Sequence, residues 1–89
     1  MAFSGNPRKY AADIGEGYVL LSPVLLRSYD VVALRELKVA LELELRDTRS
    51  QLPPQDDLRA VQAKQRRLLR LNQSLGVLRT FALKRRLAM

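Results

Sequence analysis

Apolar residues recur at helical spacing through the middle and end of the chain, and a pair of prolines cuts the pattern in two. Leu34, Leu37, Leu41, Leu45 and Leu52, with Thr48 filling the remaining place, fall on one side of a helix. Beyond Pro53-Pro54, Val61, Leu68, Leu71, Leu75, Leu78 and Ala82 form a second such stripe, with Leu58 at its edge. Gln65 and Asn72 lie close to this second seam and read as marginal positions that reach water.

Start and stop signals frame both stretches. Ser22 can cap a helix and Pro23 suits its first position, where an N–H would be unpaired anyway. Ser28 offers a second possible cap, which leaves room for a short helix followed by a long one. Pro53 and Pro54 end the first pattern because neither can donate the next hydrogen bond. Asp56 or Asp57 then caps the second helix and complements its positive dipole end. The expected fold is therefore all-α: a long antiparallel helical hairpin, about 23–52 and 57–87, with a coiled-coil-like seam and a short Pro-Pro-Gln-Asp connection.

Residues 1–22 read differently. Gly5, Pro7, Gly15 and Gly17 interrupt any regular pattern, leaving at most a turn of helix at Lys9 to Asp13. Tyr18-Val19-Leu20-Leu21 is a short apolar run with no second strand to pair with, so an extended segment packed on the first helix is expected. The division is an extended N-terminal arm over 1–22 and a helical hairpin over 23–89, together one domain.

Each helix also carries a second face. On the first, Val32, Val39 and Leu43 lie opposite the leucine stripe. A hairpin helix with one partner has no use for them, so this helix is expected to be sandwiched, either by the Tyr18 to Leu26 segment or by another molecule. Intramolecular cover is the preferred expectation. On the second helix, Arg59, Arg66, Arg70 and Lys84 lie opposite the core stripe, flanked by Arg67 and Arg85 and accompanied by Val77 and Phe81. Guanidinium groups suit bidentate contact with phosphate or carboxylate, and apolar residues within such a ridge suggest a packed contact with a partner.

Charge sharpens this picture. The 89 residues carry a net charge of +7, unevenly spread. Residues 1–57 hold seven basic and all nine acidic residues, whereas residues 58–89 hold nine basic residues and none that is acidic. A solvated face usually mixes signs, as the first helix does with Glu42 four residues before Arg46. The all-positive second helix therefore points to an anionic neighbour: nucleic acid, an acidic protein surface or, less favoured because the helices are committed to each other, an anionic membrane surface. Neutralisation within the chain by Glu36, Glu44 and Asp47 is the competing account.

Other chemistry is sparse. There is no Cys and no His, so no disulfide, no His or Cys metal site and no Cys–His or Ser–His catalytic pair can form within the chain. No phosphate-binding loop, dinucleotide fingerprint or metal loop is present, and Gly15-Glu16-Gly17 is too short to cradle a phosphate. The five aromatic residues do not cluster as a base-stacking platform. No enzymatic activity and no cofactor are expected. Neither a membrane span nor a signal peptide is expected, which suggests a protein inside a cell or within a particle. The function expected is a structural or adaptor subunit of a larger assembly, such as a virion or ribonucleoprotein. Its partners would be other protein subunits, copies of itself, or nucleic acid. The alternative is a free-standing nucleic-acid-binding regulator.

Overall fold

The computed structural model describes residues 6–86, which among them form four helices: α1 (Pro7–Glu16), α2 (Pro23–Leu26), α3 (Val31–Ser50) and α4 (Leu58–Lys84). The fold is all-α, with the two long helices packed against each other. They run antiparallel. Lys64 of α4 reaches the carbonyls of Arg49 and Gln51, and one turn further along Arg67 reaches back to Thr48 and Glu44.

Local chemistry sets every boundary. Asp30 caps α3 by accepting from the Ala33 N–H at 2.8 Å, and Asp57 caps α4 by accepting from Ala60 at 3.1 Å. At the far end of α3 the backbone turns extended at Gln51, ahead of the prolines. The carbonyls left free there are met by Lys64 at 3.2 and 2.8 Å, a cross-helix version of a C-terminal cap. Leu52, expected in the core stripe, lies past this end and is 91% exposed.

The expected first helix over 23–52 is in fact two. Ser22 and Pro23 start a single turn, α2, in which Ser22 accepts from the Leu25 N–H. Bonds of 3.3 and 3.2 Å from the Ser28 and Tyr29 N–H groups to the carbonyls of Leu25 and Leu26, three residues back, close that turn. The long helix restarts on Asp30, not Ser28. The break frees α2 to pack on α4 and brings Leu21 and Leu26 into the core.

The arm is the larger correction. Residues 7–16 are helical, not extended. Asn6 caps α1 by accepting from the Arg8 N–H at 2.9 Å, and Pro7 occupies the first position. Gly17, at φ 87°, ends it in the left-handed conformation, with the Gly17 and Tyr18 N–H groups bonded to the carbonyls of Ile14 and Asp13. α1 packs against both α3 and α4, placing Ala11 and Ile14 in the same core as the leucines of the hairpin. Its first turn only flanks the second stripe of α3, where Asn6, Pro7 and Arg8 share a shallow groove with Val39 and Leu43. Val32 and Val39 remain 61% and 54% exposed and Leu43 is half-buried, so among the described residues the expected intramolecular cover of that face is incomplete. Within the Tyr18 to Leu21 run, Leu21 is buried and Val19 partly so, while Tyr18 and Leu20 face solvent.

The α3 stripe is otherwise as expected, with Leu34, Leu37, Leu41, Leu45 and Thr48 buried. On α4 the buried arc is Leu71, Ser74, Leu75, Leu78, Phe81 and Ala82, while Val61 and Leu68 are only half-buried. At 3.6 residues per turn this arc is rotated by about 50° from the expected one, toward the side that carries Arg67 and Phe81. The rotation follows from α1 and α2, which press on that flank and were absent from a two-helix expectation. Gln65 and Asn72 are exposed, as expected of marginal positions.

The basic face of α4

The α1 and α2 contacts divide the cations of α4 into an inward and an outward group. Arg67 belongs to the first. Its side chain is only 17% exposed, and it donates to Glu16 of α1, to Glu44 of α3 at 3.1 Å and to the Thr48 hydroxyl at 3.3 Å. Glu44, 14% exposed, shares its second carboxylate oxygen with Arg8 of α1 at 3.0 Å, and Arg8 also reaches Asp47 at 2.9 Å. These bonds, Glu44 first and Asp47 second, hold the Arg8 guanidinium above its ordinary pKa. One network thus pins three helices, with Glu44 and Arg67 at its centre.

Arg70 also turns inward and donates to the Gly15 carbonyl at 3.1 Å. That carbonyl lies in the last turn of α1, where unpaired C=O groups and the negative dipole end favour a cation. The glycines around Glu16 make the approach possible. A Cβ on Gly15 would stand 2.9 Å from the Arg67 guanidinium carbon, and one on Gly17 would stand 3.0 Å from that of Arg70. Gly15-Glu16-Gly17 is therefore a seat for two arginines. Arg67 and Arg70 are removed from the expected partner-facing ridge for this reason.

The outward group is Arg59, Arg66, Lys84 and Arg85, all exposed and none in an ion pair with another described residue. Of the three acidic residues proposed to neutralise α4, Glu44 does so for Arg67 alone, Asp47 serves Arg8 and Arg46, and Glu36 makes no ion pair with a cation of α4. Arg79 and Arg86 are further exposed cations that the ridge geometry left out. Val77 and Phe81 are not the exposed apolar pair expected. Val77 is half-buried and Phe81 is 8% exposed, because α2 leans over this part of α4.

The same leaning creates a groove of about 540 Å³ between α2 and the last turns of α4. Pro23, Val77 and Phe81 give it an apolar floor; Arg27, Lys84 and Arg85 rim it, and no carboxylate of the described residues lines it. The Arg85 guanidinium lies 5.2 Å from the centre of the Phe81 ring, at cation–π distance. Arg27 was invisible as a site residue in the sequence, since nothing in its spacing links it to α4. The only signal would have been the break at Tyr29-Asp30.

Among the described residues no group of three or more metal-ligating side chains gathers, and no helix is long and apolar enough to cross a membrane. No family model matches the chain, and neither the curated proteins nor the solved structures contain a significant match.

Proposed function

We propose that the chain is a non-enzymatic structural or adaptor subunit of a larger assembly, docked through the outward face of α4 on an anionic surface, either nucleic acid or acidic protein. The observation that carries this reading is the uncompensated charge. After Lys64, Arg67 and Arg70 are spent on holding α1 and α3, Arg59, Arg66, Lys84 and Arg85 still face solvent on a helix with no acidic residue. A face left in that state costs self-repulsion unless an anion meets it. The exposed Val32 and Val39 on α3, with Leu43 half-buried beside them, support a subunit over a free-standing nucleic-acid-binding regulator, because a second protein could bury them.

The test is affinity for duplex and single-stranded nucleic acid, and for polyglutamate, across a salt series. Replacing Arg59, Arg66 and Lys84 by Gln removes charge and preserves helix propensity. If these groups meet phosphate, the slope of log affinity against log salt flattens by roughly 0.7–0.9 for each phosphate no longer neutralised. Binding to polyglutamate alone, with nucleic acid failing to compete, assigns the face to an acidic protein. Equal binding of both polyanions by the parent and the triple variant rejects the docking face.

A further inference from the structure

We propose that the groove between α2 and the end of α4 takes the hairpin tip of a second copy of this chain, so that copies join end to end. The groove is apolar below and cationic at its rim, through Arg27, Lys84 and Arg85. Phosphate would use the rim and leave the floor of Pro23, Val77 and Phe81 unused, so the better occupant is both apolar and acidic. The connection between α3 and α4 has this composition. Leu52 and Leu58 are exposed there, and Asp56 and Asp57 lie between them. Asp56 makes no ion pair among the described residues, and Asp57 spends one oxygen on the Ala60 N–H. Pro53 and Pro54 stiffen the tip, which reduces the ordering cost of docking.

Position excludes self-satisfaction. Tip and groove lie toward opposite ends of α4, about 30 Å apart at 1.5 Å per residue, so one copy cannot fill its own groove. A contact between two different patches is head-to-tail and propagates until the chain of copies closes or stops. The inference rests on the reading of the α4 cations as anion-facing only at the C-terminal end of the helix; Arg59 and Arg66 take no part in it.

The experiment is sedimentation velocity on the full chain over a concentration series, with no other macromolecule present. The tip variant is Leu52→Ser with Asp56→Asn, at positions that neither pack in the core nor cap a helix. The groove variant is Arg27→Glu with Lys84→Glu. The parent should grow in mass beyond two copies as concentration rises, and less so at high salt. Each variant alone should remain a monomer with unchanged helicity. An equimolar mixture, holding one intact groove and one intact tip, should give a one-to-one dimer and nothing larger. A parent that stays monomeric, a mass that stops at two copies, or variants that associate as the parent does would each overturn the proposal. The tip variant keeps every cation of α4. Its nucleic-acid affinity therefore reports on the docking face separately.

Discussion

Arg67 shows most plainly how single residues divide their roles in this protein. Its bonds to Glu16, Glu44 and Thr48 tie α4 to both neighbours. Removing it leaves Glu44 with Arg8 as a remaining partner, so the loss falls short of stranding a buried charge. Arg67→Ala is expected to cost about 2–3 kcal/mol in denaturant melts, the range for charge-assisted hydrogen bonds removed together. Gly15→Ala should depend on it. In the parent the new methyl displaces the guanidinium and the melt falls. In the Arg67→Ala background the obstacle is gone, and the same change stabilises by up to about 1 kcal/mol through helix propensity. Equal effects in both backgrounds would contradict the seating of Arg67 over α1. Tyr10 offers a second reading at this scale. Burial, and then its neighbour Tyr29, raises its pKa from 10.0 to about 12. The folded state therefore holds the proton more tightly than the unfolded chain. Stability is full below pH 10 and falls as pH rises from 10 toward 12, and Tyr10→Phe should flatten that fall in alkaline melts.

At the scale of elements, α3 and the start of α4 were legible because their signals are local. A leucine stripe, two prolines and a pair of aspartates need no knowledge of the rest of the chain. What was hidden depends on contacts between distant segments. α1 has only Ala11 and Ile14 as buried apolar side chains, and Gly15 sits in its last turn, so its pattern alone does not suggest a helix. It is held by Arg8 and Glu16, which carry no signal in isolation, and by Arg67 and Arg70, whose spacing reads as a ridge facing a partner. The azimuth of α4 was missed for the same reason, since α1 and α2 decide which side is buried. Core substitutions distinguish the two versions of the stripe. Leu71→Ala and Leu41→Ala, both fully buried, are expected to cost about 2–5 kcal/mol each. Leu52→Ala, once a member of the expected stripe, should change stability by no more than about 0.5 kcal/mol. Comparable losses at Leu52 and Leu41 in thermal melts would restore the longer first helix.

At the scale of the whole molecule, the described residues form an elongated body of 45 × 24 × 19 Å with its positive charge along one helix and an apolar stripe open on another. The charge imbalance was readable in the sequence; its division into cations that fold the chain and cations that face outward was not. A crossed measurement on the two sets of cations separates these roles. Two variants are compared with the parent, one with Arg59, Arg66 and Lys84 changed to Gln and one with Arg67 and Arg70 changed to Gln. Thermal stability and polyanion affinity at low salt are recorded on each. Loss of the outward set should weaken binding with the melting temperature unchanged, whereas loss of the inward set should lower the melting temperature and leave the affinity of the folded protein within about twofold, or roughly 0.4 kcal/mol. The reverse pattern, or loss of binding and stability together in both variants, would contradict that division of roles.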